Sequence, residues 1–431
     1  MSSPVVTALL EWLEANGSVE NRLNIRYLGR DEGHGVFAKQ NLERGQMTLQ
    51  VPYKLTMNVE SAAASDLQPI VAAYPQLPDD EILALHLMHE RSKAFKSFYA
   101  PFIASLPTTF DLPLLWSESE LDELKGSNVS LLTRLMKERL KRDFKSIHVA
   151  IIDEFSYLFS TLPTLSFDDY TWAMIVIWSR AFGITKGGKY LRVLCPAMDM
   201  FNHDAKLTNS LDEFISFNEE TQMLTHHVPN DVVAGSALMI SYGKYSNAKL
   251  LYSYGFVANE NSRRTLDFWM KIPPTDPFLK IKQTILDTNE LTKNQTYDFC
   301  GTMFTNDVDE RLLATLRVIL MNEEEFQSCE KAFNRSILSL RNEVAVYDNL
   351  QHACRRKLAS FPTTLEEDEK ILADIQISTN LRLLSAVQVR AEDKQVLIGV
   401  IDTLEQWKHA LASNPLVYPP SITRCKVRND K

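Results

Sequence analysis

The sequence has no apolar run long enough to cross a membrane. A membrane helix needs roughly 20 consecutive apolar residues, and charged residues interrupt every apolar stretch before it reaches that length. The segment from Met1 to Asn16 contains Glu11 and Glu14 within an amphipathic helical pattern, so we expect no secretory signal there. The sequence therefore predicts a protein without a membrane partner.

The cysteines are too few and too widely spaced for a disulfide framework. They are Cys195, Cys300, Cys329, Cys354 and Cys425. They form no Cys-x-x-Cys pair, which also argues against a structural zinc site. We therefore expect reduced thiols and a cytoplasmic location, with the nucleus as a second compartment.

One short segment contains residue types that bind metals. His86, His89 and Glu90 lie within one predicted helix. Their order does not match the His-Glu-x-x-His zinc motif, and leucines surround them. We interpret them as ordinary helix residues and predict no metal site.

The sequence has fewer basic than acidic side chains, 46 against 55, and a net charge of −9. A general nucleic-acid binder needs a basic surface for phosphates, so we expect no nucleic-acid partner. A local basic run does occur at residues 137–142. The favoured interpretation is a solvated helix face with Leu140 turned inward, and the alternative is a contact with an acidic substrate.

The 431 residues exceed what one hydrophobic core usually supports. Short strand patterns separated by turns occupy about 20–58 and 190–270, and helical patterns fill about 59–189. From about residue 275 the pattern is nearly all helical, with Thr364 as an N-terminal cap. The sequence predicts an α+β fold, in which a β-rich core of short strands is interrupted by a helical insert and followed by an all-α C-terminal domain.

Two glycine-rich segments resemble phosphate-binding loops only superficially. Gly33-His34-Gly35 lies between two strand patterns, and by itself such a segment is more often a tight turn. No strand–GxGxxG–helix unit surrounds it, which disfavours a Rossmann fold. Gly187-Gly188-Lys189 lacks the remaining spacing of a P-loop and is interpreted as a loop.

A second group of motifs is far more specific. An Asn-His pair is followed about forty residues later by Tyr-Gly, then by Ser-Asn and Tyr-Gly-Phe; these are Asn202-His203, Tyr242-Gly243, Ser246-Asn247 and Tyr254-Gly255-Phe256. This order resembles the SET-domain protein methyltransferases. Its form is similar to the branch that includes the Rubisco large-subunit lysine methyltransferase and the actin histidine methyltransferase. The resemblance extends to residues 32–35, 97–101, 179–182 and 363–369.

The resemblance implies a SET domain over residues 1–274 and a helical substrate-binding domain over 275–431. Within the first domain, the core would comprise about 20–58 and 190–270, and the helical insert about 59–189. This organisation agrees with the hydrophobic pattern. Relatives in this branch also lack the zinc-bound cysteine segment of many histone-directed enzymes, which fits the scattered cysteines.

The resemblance also implies S-adenosylmethionine as cofactor. The residues that would hold it are Glu32, Gly33, His34, Arg180, Asp199, Asn202, His203, Tyr242 and Tyr254. Arg180 would pair with the cofactor carboxylate, a task suited to a guanidinium. Outside this pattern, an Asn-His loop would merely cap a turn, and a strand tyrosine such as Tyr254 would simply be a good β-former.

Tyr242 matches the catalytic tyrosine of the family, whose hydroxyl orients the acceptor nitrogen and the methyl group. Phe182, Met198, Tyr254 and Phe256 would contact the substrate. The aromatic Phe182 suits an aliphatic lysine side chain, whereas the histidine-directed relative carries a smaller amide residue at the matching position. Met198 departs from the Ala or Trp of relatives, which leaves the size of the acceptor pocket open.

The sequence thus predicts a protein-lysine N-methyltransferase that acts on a non-histone protein, such as a ribosomal protein or an elongation factor. The substrate would bind at the SET channel and at the C-terminal domain, and we expect a monomer. The alternatives are a protein-histidine methyltransferase and a catalytically silent SET protein that serves as a binding module.

Overall fold

The computed structural model describes residues 3–20, 22–29, 32–159, 166–291, 298–334, 336–374 and 380–413. It divides into two compact units. The first comprises Met1–Leu115, Leu132–Tyr245 and Lys249–Ser262, and the second comprises Trp116–Leu131, Ser246–Ala248 and Arg263–Lys431. The domain bounds expected from the sequence stay a prediction.

The strands of the first unit are short. They are β1 (Val19–Glu20), β2 (Leu23–Gly29), β3 (Gly33–Ala38), β4 (Met47–Pro52), β5 (Phe182–Lys186), β6 (Lys189–Val193), β7 (Asn202–His203), β8 (Ile215–Asn218), β9 (Met223–His227) and β10 (Met239–Ile240). One antiparallel sheet has the order β1-β4-β9-β8. β2 pairs with β3 and β5 with β6, both antiparallel, whereas β7 and β10 run parallel.

Helices precede β1, separate β4 from β5, and follow β10. They are α1 (Pro4–Ala15), α2 (Val59–Ala63), α3 (Gln68–Ala73), α4 (Asp79–Ser92), α5 (Ala100–Ser105), α6 (Glu118–Asp122), α7 (Asn128–Ile147), α8 (Phe167–Arg180) and α9 (Asn247–Tyr254). The prediction of a β-rich core interrupted by helices is confirmed. α6 and the first residues of α7 belong to the second unit.

The sequence of α8 explains both its start and its orientation. Ser166 caps the backbone N–H of Asp169, and the Asp169 carboxylate accepts from the Ser166 backbone N–H in return. The residues from Tyr170 to Ile177 are all buried. This helix packs against α4 in the core of the first unit and carries Arg180 at its C-terminal end.

The second unit is built mainly from helices. They are α10 (Leu279–Thr288), α11 (Glu310–Ile319), α12 (Leu340–Leu358), α13 (Leu365–Ala373) and α14 (Leu381–Ser413). It also contains an antiparallel sheet of β11 (Thr265–Lys271), β12 (Asp298–Phe304) and β13 (Asp307–Val308). The α+β fold class is confirmed, but the expectation that the C-terminal part is all-α needs this correction. β11 and β12 form hydrogen bonds with each other although they are separated in sequence. A pattern of helical periodicity cannot reveal such a pairing.

Thr364 caps α13 as predicted, and the helix holds one buried carboxylate between two cations. Thr364 caps the backbone N–H of Glu367. Asp368 is fully buried and bonds to Arg390 at 2.9 Å and to Lys394 at 2.6 Å. Because all three charges are removed from water, Asp368 and Lys394 depend on this cluster for compensation. Arg390 is also paired with Glu123 at 2.9 Å.

Three of the five cysteines, Cys195, Cys329 and Cys354, are free thiols. Cys425 lies outside the described residues. Over the described ranges no helix has both the length and the apolar character that crossing a bilayer requires. His86 and His89 are buried within α4, and the described part of the chain places no three His, Cys, Asp or Glu side chains together as metal ligands.

Replacing Asp368 with Asn should destabilise the second unit by about 3 kcal/mol, because Lys394 would then be buried without its carboxylate partner. Arg390 would keep only its ion pair with Glu123. Urea unfolding followed by circular dichroism measures this loss. Glu366→Gln is the matched control, since Glu366 lies on the same helix in an exposed pair with Lys370 and should change little. Equal effects of the two substitutions would contradict the assigned role of Asp368.

Candidate active site

The parallel pairing of β7 with β10 brings the two most specific sequence motifs together. Asn202 pairs with Met239, and His203 pairs with Ile240. The chain continues from β10 to Tyr242, whose backbone N–H donates to Nδ1 of His203 at 3.1 Å. The two rings stack with centroids 5.2 Å apart. His203 and Tyr242, which are 39 positions apart in sequence, are therefore in direct contact through a hydrogen bond and stacked rings.

The Tyr242 hydroxyl is held in one orientation. It donates to the backbone carbonyl of Phe201 at 2.9 Å. Burial raises the pKa of Tyr242 to about 12. The phenol therefore keeps its proton at neutral pH and offers its oxygen lone pairs as a fixed acceptor.

His203 is neutral and has a defined tautomer. Burial lowers its pKa, and Nδ1 accepts the Tyr242 N–H, so the ring carries its hydrogen on Nε2. That Nε2 is buried and has no hydrogen-bond partner among the described residues. A buried donor without a partner is costly, so it indicates a position where a ligand acceptor fits.

Arg180 and Asp199 form the charged part of the site. Nη1 of Arg180 donates to the Asp199 backbone carbonyl at 2.9 Å and to its Oδ2 at 3.0 Å. Burial raises the pKa of Asp199, and the Arg180 charge opposes that rise. Oδ1 of Asp199 is buried with no partner in the described part of the chain. The pKa of nearby His34 is lowered, first by burial and then by Arg180.

Aromatic rings extend the site from Tyr242. The Tyr254 ring lies 4.8 Å from that of Tyr242 and 6.3 Å from those of Tyr245 and Phe256, measured between centroids. Burial raises the pKa of Tyr254. Gly243 has φ +142°, and a Cβ there would lie 2.6 Å from the Tyr245 ring. Glycine thus allows Tyr245 to fold back toward Tyr254.

A first cavity of about 360 Å³ borders Tyr242. Residues from six parts of the chain line it: Glu32, Gly33, His34, Pro107, Thr109, Phe110, Asp111, Ser179, Arg180, Asp199, Asn202, His203, Met239, Tyr242, Tyr254, Gly255, Phe256 and Val257. Gly33 has φ +65°, which favours glycine at this wall. The cavity combines backbone, charged and aromatic surfaces.

A second cavity of about 440 Å³ also borders this tyrosine. Its walls include Phe182 and Met198 together with Trp178, Phe201, Ile240 and Tyr245. The two cavities share five lining residues: Ser179, Arg180, Asp199, Tyr242 and Tyr254. The two cavities therefore adjoin each other at these five residues, which we call the shared wall.

The residues expected at the cofactor site from the sequence all line the first cavity. The set comprises Glu32, Gly33, His34, Arg180, Asp199, Asn202, His203, Tyr242 and Tyr254. Of the expected substrate residues, Phe182, Met198 and Tyr254 line the second cavity, whereas Phe256 lines the first. Arg180, expected to bind the cofactor carboxylate, also holds Asp199.

Sequence reasoning missed several lining residues. Tyr245 stands three positions after Tyr242, and that spacing within the motif could have indicated it. Trp178 and Arg192 also line the second cavity, but no motif marks them. Residues 109–111 reach the first cavity from a segment without any sequence signal.

Comparison with known proteins gives a consistent picture. Residues 273–397 match the family model described as Rubisco LSMT substrate-binding. The chain is 28% identical to a fructose-bisphosphate aldolase-lysine N-methyltransferase of Arabidopsis thaliana, over 90% of this chain and 80% of that protein. It is 27% identical to the Rubisco large subunit N-methyltransferase of Pisum sativum (94% and 82%) and to an actin-histidine N-methyltransferase of Canis lupus familiaris (90% and 67%).

Solved structures agree with these relatives. The SET domain of LSMT bound to lysine and AdoHcy superposes with a TM-score of 0.83 at 26% identity, covering 96% of this chain and 93% of that one. Rubisco LSMT bound to AdoMet gives 0.81 at 27% identity, covering 97% and 95%. The resemblance inferred from the motifs is confirmed.

Gly255 should be the least replaceable glycine of the first cavity. It ends α9 with φ +84°, and a Cβ there would lie 2.9 Å from the backbone nitrogen of Leu112. Gly255→Ala should cost more than about 2 kcal/mol in unfolding free energy. Gly187→Ala is the control, because φ is +57° there but nothing lies within 4 Å. Similar losses in denaturant unfolding would show that the close contact is unimportant.

Proposed function

We propose that this chain, which is similar to the Rubisco large-subunit methyltransferases, transfers a methyl group from S-adenosylmethionine to a lysine amine of a non-histone protein. One observation carries this proposal. The two cavities meet at the shared wall, and each is lined by residues of a different character. Such an arrangement suits an in-line transfer between a donor on one side and an acceptor on the other.

The first cavity fits S-adenosylmethionine chemically. The unpartnered Nε2–H of His203 is a donor for a ring nitrogen of adenine. Oδ1 of Asp199 is an acceptor for the cofactor ammonium group. Arg180 uses Nη1 for Asp199, which leaves its other N–H groups for the cofactor carboxylate.

The cofactor supplies, when bound, a methyl group on a positively charged sulfonium. Residues of this chain exclude water from the site and orient the reacting groups. Tyr254 and Phe256 present aromatic surface to the first cavity, which excludes water from it. The Tyr242 hydroxyl donates its hydrogen to the Phe201 carbonyl, which fixes the position of its oxygen. That oxygen can then accept a hydrogen bond from the acceptor amine or from the polarised methyl group.

The second cavity favours a neutral amine. A lysine amine has a reference pKa near 10.4, and burial against Phe182, Met198 and Ile240 lowers it. Asp199 is the one carboxylate among the described residues that line this cavity, and Arg180 holds its Oδ2. The lysine therefore loses its proton to solvent before it enters the apolar part of the cavity.

Direct binding of S-adenosylmethionine separates this proposal from a catalytically silent SET protein. Isothermal titration of the full chain should show one site per molecule. Asp199→Asn should weaken binding, because it removes the charge that faces the cofactor ammonium. Absence of any binding heat, together with unchanged thermal stability at saturating cofactor, would refute the proposed enzyme.

Tyr242→Phe should lower turnover by at least about 10²-fold, because the fixed oxygen in the wall is lost. Cofactor affinity should stay within about threefold, since that hydroxyl bonds to Phe201 and not to groups of the first cavity. Single-turnover assays and titration calorimetry measure the two effects. Full turnover in the variant would contradict the assigned role of the hydroxyl.

The similarity to actin-histidine N-methyltransferases makes histidine the second candidate acceptor. Phe182 lies on β5 and lines the second cavity, where its ring suits an aliphatic chain. Phe182→Asn should shift the ratio of activity on lysine peptides to activity on histidine peptides toward histidine. The ratio is measured with matched peptides that differ only at the acceptor, and an unchanged ratio would contradict lysine specificity set by this ring.

The second unit is the proposed contact for the body of the protein substrate, since residues 273–397 match a substrate-binding family model. A ribosomal protein or an elongation factor is the proposed kind of substrate. A monomeric state, a cytoplasmic or nuclear location and the lack of a nucleic-acid partner also stay predictions.

A further inference from the structure

The glycine pair Gly187-Gly188 takes no part in the chemistry described above, yet it determines the geometry of the β5–β6 hairpin. Both glycines have positive φ, +57° and +73°. Two consecutive residues in the left-handed region are typical of the two-residue turns that match the twist of hairpin strands. The turn closes the pair Lys186–Lys189 and thereby sets the register of the whole hairpin.

This register places Tyr190 and Gly183 on the same face of the hairpin. Tyr190 pairs with Thr185. Gly183 lies two residues before Thr185 and is therefore the diagonal neighbour of Tyr190. Side chains alternate between the two faces along a strand, and Ile184 and Leu191 on the opposite face are buried in the core of the first unit. The face that carries Tyr190 is therefore turned away from that core.

The ring of Tyr190 lies directly over Gly183. A Cβ added at position 183 would lie 2.2 Å from Cε2 and 2.3 Å from the hydroxyl oxygen of Tyr190. Atoms that are not bonded do not approach so closely, so any side chain at this position would displace the ring. Because Gly183 is nearer to the base of the hairpin than Thr185, the ring leans toward that base.

The base of the hairpin borders the second cavity, and Tyr190 reaches it. Phe182, Gly183, Tyr190 and Arg192 all line this cavity. Tyr190 does not line the first cavity. It remains 67% exposed although its ring packs over Gly183. Tyr190 therefore lies at the mouth of the second cavity, where a protein segment has to pass to present an acceptor side chain.

Hydrogen bonds hold the base of the hairpin in place. Nη1 of Arg192 donates to both carboxylate oxygens of Asp80 at 2.8 Å. Nη2 donates to the backbone carbonyls of Ile177 at 3.0 Å and Ala181 at 3.3 Å. Asp80 belongs to α4 and Ile177 to α8, so the hairpin is bonded to two helices of the core. A tyrosine on such a rigid support loses little conformational entropy when it contacts a partner.

The exposed surface of Tyr190 is available for a partner. Within the part of the chain that the structure describes, no hydrogen bond involves its hydroxyl and no aromatic ring stacks on its ring. Aromatic side chains with a large contact area and few rotatable bonds are enriched where proteins bind each other. Its ring, rather than its hydroxyl, is the part of the side chain that Gly183 holds in position.

We propose that Tyr190 is a positioning residue for the protein substrate at the mouth of the second cavity. Its ring packs against an apolar side chain next to the acceptor lysine in sequence, while the lysine itself extends to the shared wall. Adjacent residues are about 3.8 Å apart along the chain, so a neighbour of the acceptor lies within reach of this ring. The inference rests on the proposed function and adds a class of target to it.

The test uses the full chain, methyl-labelled S-adenosylmethionine and a proteome extract, with labelled residues located by mass spectrometry. The labelled lysines should have an apolar residue at an adjacent position more often than unlabelled lysines of the same proteins. For the most strongly labelled protein, Tyr190→Ala should raise KM by about fivefold to tenfold and leave kcat within about twofold. The reason for this split is that Tyr190 contacts the substrate away from the reacting atoms.

Two further variants separate a contact with substrate from a structural effect. Tyr190→Phe should keep the wild-type KM, because the ring is retained. Gly183→Ala should raise KM as Tyr190→Ala does, since the added methyl group displaces the ring. The variant with both alanines should then be no worse than Tyr190→Ala alone. Additive losses would show that Gly183 acts apart from the ring and would overturn its part in the proposal.

Phe95→Ala is the matched control, because Phe95 is an aromatic side chain that is 86% exposed and lines neither cavity. It should keep the wild-type KM. Calorimetry with S-adenosylmethionine verifies that each variant is folded, and the dissociation constant should stay within about twofold because Tyr190 does not line the first cavity. Tyr190→Ser replaces Tyr190→Ala if that variant fails this check.

The outcomes separate the two proposals. An unchanged KM in Tyr190→Ala, an equal loss in Tyr190→Phe, or labelled lysines without apolar neighbours would overturn the positioning role and leave the lysine methyltransferase proposal standing. Labelling confined to histidine, or no labelling of any protein by a chain that binds the cofactor, would overturn the proposed function itself.

Discussion

The contact between His203 and Tyr242 is the constraint on which the site depends. It exists because two very short strands run parallel, so that residues far apart in sequence meet edge to edge. The backbone N–H of Tyr242 fixes the tautomer of His203, and the carbonyl of Phe201 fixes the Tyr242 hydroxyl. These two hydrogen bonds therefore determine which atoms of His203 and Tyr242 donate and which accept.

Charge in the site is organised around Arg180 and Asp199. Both border the two cavities, and both influence the protonation of Tyr242, the former by lowering and the latter by raising its pKa. Burial dominates over either charge. Tyr242 therefore stays protonated beside the Arg180–Asp199 ion pair. This suits a methyl transfer that depends on aligning the two reactants and does not require the Tyr242 oxygen to exchange a proton.

Sequence alone could predict what depends on local pattern. The cap at Thr364 and the strands around residues 25–51 follow from spacing and turn residues. The β11–β12 pairing could not be predicted, because its partners are distant in sequence and helical patterns surround them. Family motifs gave the site residues, yet the placement of Phe256 in the first cavity depends on where the chain turns after Gly255.

The shared wall has a consequence for how such enzymes can diverge. A substitution at Arg180, Asp199 or Tyr242 alters both cavities at once, so under the proposed roles donor binding and acceptor choice cannot change independently there. Phe182 and Met198 border only the second cavity. Under the proposed roles, substitutions at those two positions change the acceptor while the lining of the donor cavity stays the same, so the two specificities can be selected separately.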